Sequence, residues 1–176
     1  MNNVFLTSDT HFGHTNVIRY CNRPFKTIEE MNEALIARWN SRVSVCSTVY
    51  HLGDFAMGPR QDLQPFRKAL NGKIILIKGN HDRSKLAMLE AGFDEVRNEL
   101  YVEEKGIKAY LRHHPSERMD APWKTKADVH FCGHVHNEWQ FKERIVNVGV
   151  DYWQFMPRTI SEILSSYPFE DAPWMI

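Results

Sequence analysis

Residues 73–83, KIILIKGNHDR, join a short apolar run to a cluster of polar groups. The apolar part, residues 74–77, is short and rich in β-branched side chains, which is typical of a buried strand. The residues that follow Lys78 are Gly79, Asn80, His81 and Asp82. A polar turn would account for glycine, asparagine and aspartate. The alternative is that this strand ends in a ligand-binding site. In that case similar polar groups should follow other strands.

The same pattern does recur along the chain. Strands are predicted over 3–8, 48–52, 73–78, 107–113, 128–132 and 144–150. The polar groups that follow four of the other strands are Asp9-Thr10-His11, Gly53-Asp54, His113-His114 and Gly133-His134-Val135-His136. Ligands of open α/β sheets lie at the carboxyl ends of the strands, so this series indicates one functional site better than a set of unrelated turns.

Helical patterns separate the early strands. Residues 27–40 begin with Thr27 and Glu30 in capping-box spacing and carry an apolar face. Further helices are predicted over 62–70, over 85–91 after Ser84 as N-cap, and after Thr159 with Glu162. This alternation predicts an α/β fold with parallel pairing early and antiparallel or mixed pairing later. The length of 176 residues predicts a single domain, 1–176.

Composition argues against two classes of partner, long nucleic acid and membranes, although a local site could still bind a polyanion. The net charge of +0 argues against long nucleic acid, which requires a basic surface, and no segment is apolar enough to span a membrane. The start, MNNVFLTSDTHFG, does not resemble a signal peptide. Cys21, Cys46 and Cys132 lack metal-binding spacing, so we expect buried, reduced cysteines and a cytoplasmic location. The oligomeric state is left open.

The donor types predict a metal site. Asp9 and His11 are two residues apart, so in an extended segment they share a face, as do His134 and His136. Imidazole and oxygen ligands without thiolate suit zinc, manganese, iron or nickel. The seven candidate ligands are Asp9, His11, Asp54, Asn80, one of His113 and His114, His134 and His136. Seven ligands exceed the needs of one ion and suit two ions that share a bridging carboxylate.

Strand alternation distinguishes the two adjacent histidines. Ile107, Ala109 and Leu111 form the apolar face of their segment, and this face continues to His113. The polar face, residues 108, 110 and 112, continues to His114. His113 is therefore predicted to point inward with the other ligands, and His114 outward or toward the rim of the pocket.

The motif series DxH, GD, GNHD, H and GHxH resembles the calcineurin-like metallophosphoesterase superfamily, from Asp9 to His136. The flanking segments SDTHFGH, VYHLGDF and NVGVD are similar to a small bacterial and phage branch. The resemblance implies a four-layer αββα sandwich of two mixed β-sheets flanked by helices, with a binuclear metal site at the C-terminal ends of strands.

The resemblance also implies roles for single residues. The ligands of the first metal would be Asp9, His11 and His136, and those of the second Asn80, His113 and His134. Asp54 would bridge both ions. His81 would be catalytic and face the substrate, with Asp82 as an acidic neighbour that adjusts it.

The expected activity is metal-dependent hydrolysis of a phosphate monoester or diester. Two divalent ions against two carboxylates leave about two positive charges, which attract an anionic phosphate, and such a pair generates a bridging hydroxide as nucleophile. His81 would assist at the phosphate or leaving group. Manganese is the first expectation for both ions; zinc, iron and nickel are alternatives.

Several alternatives stay open at this point. The expected substrate is a small phosphoester or nucleotide-like molecule. Alternatively, the enzyme is a phosphodiesterase specialised for cyclic nucleotides or nucleic-acid ends. The alternative from another functional class is a metal-binding scaffold without catalytic activity.

The roles of several side chains also stay open. His14 either contacts the phosphate or belongs to a local turn. Asp151 and Trp153 either line the rim of the pocket or pack within their loop, and Arg112 either binds the phosphate or is a surface residue.

Overall fold

The computed structural model describes residues 3–57, 63–116 and 121–168. In chain order its strands are β1 (Val4–Thr7), β2 (Thr48–His51), β3 (Lys73–Ile77), β4 (Glu95–Arg97), β5 (Glu99–Glu104), β6 (Ile107–Arg112), β7 (Val129–Cys132), β8 (Phe141–Lys142), β9 (Ile145–Asn147) and β10 (Arg158–Thr159). The helices are α1 (Thr15–Tyr20), α2 (Ile28–Asn40), α3 (Leu63–Ala69), α4 (Lys85–Glu90), α5 (Trp123–Lys126) and α6 (Ile160–Ser165).

The strands form two mixed sheets of five strands each. The first has the order β10-β1-β2-β3-β4, in which β1 to β4 are parallel and β10 is antiparallel. The second has the order β5-β6-β7-β9-β8, with parallel pairs at its centre and antiparallel pairs at both edges. Parallel pairing early and mixed pairing later are therefore confirmed.

Apolar packing stacks these elements in the predicted order. The sheets face each other through buried side chains such as Leu6 and Ile77 of the first sheet and Leu111 and Phe131 of the second. The other face of the first sheet packs against α1, α2, α3 and α4. The outer face of the second sheet packs against Trp123 of α5. The αββα sandwich is confirmed, although α5, with four residues, makes the last layer thin.

The predicted helix starts are also confirmed. The hydroxyl of Thr27 accepts the N–H of Glu30 at the start of α2, and that of Ser84 accepts the N–H of Ala87 at the start of α4. Thr159 and Glu162 form the complete capping box of α6. The helix predicted over 62–70 is seen as α3, and residue 62 lies outside the described residues.

Several sequence predictions were incomplete or wrong. Two helices, α1 and α5, and four strands, β4, β5, β8 and β10, were not predicted, because they are short or, like β5, lie at an edge with alternately exposed side chains. Tyr110, assigned to a polar face, is buried, because its ring lies parallel to that of Trp123 and its hydroxyl donates to Glu99. Cys46 is exposed, contrary to prediction.

Among the described residues, no helix has the length and apolar character needed to cross a membrane. The assignment of residues 1–176 to one domain stays a prediction.

The core between the sheets should carry much of the stability. Leu111→Ala removes a fully buried side chain from this core, and we expect it to lower the free energy of unfolding by about 2–5 kcal/mol. Urea unfolding followed by circular dichroism measures the change. The matched control is Leu86→Ala on the exposed side of α4, where a change within about 0.5 kcal/mol is expected. Equal losses in the two variants would contradict this packing.

Candidate metal centre

The predicted ligands come together where strands from both sheets end. The loops after β1 and β2 run side by side, since the N–H of Asp9 donates to the carbonyl of Gly53 at 3.0 Å and that of His11 to the carbonyl of Asp54 at 3.1 Å. The N–H of His134, which follows β7 of the second sheet, donates to the carboxylate of Asp9 at 3.0 Å. The first and second sheets thus contribute to a single cluster.

The backbone at this cluster departs from the sequence interpretation. Five of the seven predicted ligands have positive φ angles: Asp9 (56°), His11 (50°), Asp54 (55°), His134 (73°) and His136 (44°). Asp9 and His11 of the DxH motif do converge, whereas His134 and His136 of the GHxH motif contact different donors, Asn80 and Asp9. Both motifs form left-handed turns after β1 and β7 and not extended strands. Left-handed residues other than glycine are uncommon and concentrate at functional sites.

Distances between the donor atoms define two groups. In the first, Nε2 of His11 and Nε2 of His136 each lie 3.9 Å from Oδ1 of Asp9. In the second, Oδ1 of Asn80 lies 3.0 Å from Nε2 of His113 and 3.1 Å from Nδ1 of His134. Oδ2 of Asp54 lies between the groups, 3.7 Å from His11 and 3.4 Å from His113.

These distances fit metal coordination. Two ligands that each lie about 2.1 Å from one ion are at most about 4.2 Å apart. All the separations above fall below that limit. The position of Asp54 between the groups agrees with the bridging role that the resemblance implies.

Burial of the donors provides an independent test of this fit. Asp9 and Asp54 are 0% and 1% exposed, and neither ring nitrogen of the buried His11 has a hydrogen-bond partner among the described residues. Burial lowers the pKa of His11 to about 2, so this imidazole is neutral and one of its two nitrogens has a lone pair available to a metal. Buried carboxylates and a neutral, unpartnered imidazole suit a divalent cation.

Neighbouring groups orient the donors. Nδ1 of His113 lies 2.7 Å from the carbonyl of Leu52, so a proton there leaves Nε2 free to act as a ligand. Burial by itself would raise the pKa of Asp54, but its contact with His113 outweighs burial and holds the pKa below its usual range. Asp54 is therefore ionised and could act as a ligand.

Two glycines permit the loops to approach this closely. A Cβ atom on Gly79 would lie 2.6 Å from the backbone nitrogen of Asp54, and one on Gly133 would lie 2.8 Å from Cβ of Ser8. Neither glycine has a positive φ angle, so space is the reason for glycine at these two positions. A sharp turn explains Gly53 as well, since its φ is 94°.

His81 lies at the open side of the cluster. Its side chain is 42% exposed, and Nε2 is 4.0 Å from Oδ2 of Asp54. Its backbone N–H donates to Oδ1 of Asp54 at 2.9 Å, which fixes the main chain beside the site. The ring therefore faces solvent next to the donors, where a substrate would enter, and its catalytic role stays a prediction.

Asp82 has a different environment from the one expected. Its carboxylate accepts backbone N–H groups of Asp54, Phe55 and Gly79, at 2.9, 3.0 and 2.8 Å. These hydrogen bonds tie the loop after β3 to the loop after β2. The geometry thus gives Asp82 a positioning role for Asp54, and adjustment of His81 stays a prediction.

Two further histidines, His14 and His114, flank the cluster. The ring of His14 lies 5.4 Å from that of His11, and the exposed ring of His114 lies 4.1 Å from that of His134. His113 is buried and His114 exposed, as strand alternation predicted. The separation of inward and outward faces therefore persists beyond the end of β6 at Arg112.

The residues in and directly after the NVGVD segment, 147–153, do more than line the rim of the pocket. Trp153 is a packing residue, since it is buried and its indole N–H donates to the carbonyl of Asn147. Asp151 is buried against Arg23 and contacts His136. The sequence reasoning did not single out Arg23. Its only signal was a lone basic residue in NRPF, which by itself resembles a surface arginine.

Comparisons with known proteins identify the family and several relatives of this chain. The model of the calcineurin-like phosphoesterase superfamily domain matches residues 2–160. An uncharacterised protein of Methanocaldococcus jannaschii is 35% identical over 93% of this chain and 90% of its own. The gene 66 protein of Mycobacterium phage L5 is 27% identical over 87% of this chain and 88% of its own. A solved structure of a protein of unknown function from Aquifex aeolicus has 26% identity and a TM-score of 0.75, covering 94% and 99% of the two chains.

The adjacent histidines allow a matched test of this geometry. His113→Ala should lose the second metal ion and most activity, because the buried ring lies against Asp54 and Asn80. His114→Ala should keep both ions and change substrate affinity at most, because its ring is exposed. Elemental analysis after loading with Mn²⁺ measures the difference. Metal retained in the first variant and lost in the second would contradict the register of this segment.

Proposed function

Because the chain belongs to the calcineurin-like phosphoesterase superfamily, we propose that it hydrolyses phosphate esters with two divalent metal ions. The first ion is held by Asp9, His11 and His136, the second by Asn80, His113 and His134, and both by Asp54. The observation that carries this proposal is the position of Asp54 between two donor groups at the same strand ends. Manganese is the metal that we propose for both positions.

The charge of the loaded site selects an anionic substrate. Two of the seven ligands, Asp9 and Asp54, carry a negative charge, and five are neutral side chains. When bound, two divalent ions supply the positive charge that attracts a phosphate and the Lewis acidity that activates water. A small phosphoester or nucleotide-like substrate would reach the site from the side where His81 is exposed.

The side chains at the open side then act on the substrate directly. His81 donates a proton to the departing oxygen, a contribution typically worth about 10²–10⁴-fold in rate. His14, whose ring lies next to that of His11, contacts the phosphate. The enzyme acts in the cytoplasm in this proposal, and it cleaves a monoester or a diester.

Metal removal gives the first test of the reaction. The protein loaded with Mn²⁺ is assayed against p-nitrophenyl phosphate and bis-p-nitrophenyl phosphate, and we expect hydrolysis that chelation abolishes and Mn²⁺ restores. The preferred substrate distinguishes a monoesterase from a diesterase. Asp54→Ala should abolish activity with both substrates, because its carboxylate serves both donor groups. A loaded protein that binds two ions and hydrolyses no phosphoester would instead be a metal-binding scaffold.

His81→Ala tests the proton donor. We expect both ions to be retained and kcat to fall by about 10²–10⁴-fold for an alkyl phosphate. The loss should be smaller for a p-nitrophenyl ester, because nitrophenolate leaves without protonation. Steady-state kinetics with both esters and metal analysis of the same samples give the comparison. Loss of an ion from this variant would make His81 a ligand and refute its assignment as donor.

A further inference from the structure

We propose that Arg23 and Asp151 are positioning residues that hold His136 and Asp9 in place for the first metal ion. The inference rests on the metal site of the proposed function but not on its reaction. Its consequence is that this buried pair determines the metal affinity of one donor group and not of the other.

The first observation is a buried, two-point ion pair. Nε of Arg23 donates to Oδ1 of Asp151 at 2.8 Å, and Nη2 donates to Oδ2 at 3.0 Å. The two side chains are 0% and 4% exposed. A planar guanidinium that contacts both carboxylate oxygens fixes the orientation of the carboxylate as well as its position.

The second observation is what that carboxylate contacts. Oδ2 of Asp151 lies 3.2 Å from Nδ1 of His136, whereas Nε2 on the other side of the ring lies 3.9 Å from Oδ1 of Asp9. A carboxylate on one ring nitrogen directs the proton there and leaves the other nitrogen available to a metal.

The third observation concerns the hydrogen bonds that the Arg23 guanidinium makes to the main chain. Nη2 of Arg23 also donates to the carbonyl of Asp9 at 2.7 Å, and Nη1 donates to the carbonyl of Thr10 at 3.0 Å. These carbonyls belong to the turn that carries Asp9 and His11, both in the left-handed conformation. Arg23 therefore fixes the main chain of one ligand and, through Asp151, the side chain of another.

A purely structural ion pair is the alternative explanation. Buried pairs cost desolvation and can often be replaced by apolar residues without loss of stability, so burial alone does not assign a role. The contacts to Asp9 and His136 are what distinguish this pair, because both belong to the first donor group. Asn80, His113 and His134 of the second group have no hydrogen bond with either residue among those that the structure describes.

Asp151→Asn is the central test, because it removes the charge and keeps the shape. We expect a 10–100-fold weaker affinity for Mn²⁺ at the first site and an unchanged affinity at the second. Titration followed by electron paramagnetic resonance reports this directly, since two adjacent Mn²⁺ ions give a spin-coupled spectrum and one ion gives a six-line spectrum. At two equivalents of Mn²⁺, the wild type should show the coupled signal and the variant an isolated ion.

A control variant separates position from simple loss of contacts. Arg42→Ala breaks the partly exposed pair with Glu162, which touches no ligand. It should bind two Mn²⁺ ions as the wild type does. If Asp151→Asn does not fold, Arg23→Lys provides the same test. Lysine keeps the buried positive charge but lacks the planar guanidinium that contacts both carboxylate oxygens of Asp151.

The outcomes distinguish this inference from the proposed function. Unchanged affinities in Asp151→Asn or in a folded Arg23→Lys would overturn it, and so would equal weakening of both sites. A wild type that binds two ions without hydrolysing phosphoesters would refute the proposed reaction and leave the inference standing. A wild type that binds no ion at Asp9 and His136 would refute both.

Discussion

Two carboxylates, Asp9 and Asp54, lie buried at the point where the two sheets meet. Burial raises the pKa of Asp9, and the charge of Asp54 adds to this effect, so two such groups can both be ionised only beside positive charge. Imidazoles, backbone N–H groups and the guanidinium of Arg23 surround them, and divalent ions would supply the remaining charge. The glycines, the turns and the polar strand ends of this fold all follow from the need to bring these donors within about 4 Å of one another.

The sequence was sufficient to predict the strands that carry ligands, because their apolar runs are separated from polar ends by turn residues. β1, β2, β3, β6 and β7 were all found in this way, and they lie in two mixed sheets. Strand alternation also predicted that His113 is buried and His114 exposed. Local patterns succeed here because each depends on neighbouring residues only.

What the sequence did not reveal depends on contacts between distant segments. The edge strands β5 and β8 obtain their hydrogen bonds from β6 and β9, and β8 has only two residues. The left-handed turns of the DxH and GHxH motifs are imposed by the approach of several loops, whereas the spacing alone suggested extended chain. Arg23 could not be recognised, since its partner Asp151 follows at the far end of the sequence.

The division of the ligands between the sheets has a consequence for synthesis of the chain on the ribosome. Asp9, His11, Asp54 and Asn80 follow strands of the first sheet, whereas His113, His134 and His136 follow strands of the second, which is made later. The second donor group is incomplete until His134 has left the ribosome, and the first until His136 has. The nascent first half therefore has carboxylates but not the imidazoles of the second sheet, and in the proposed function tight metal binding would be deferred until both sheets have formed.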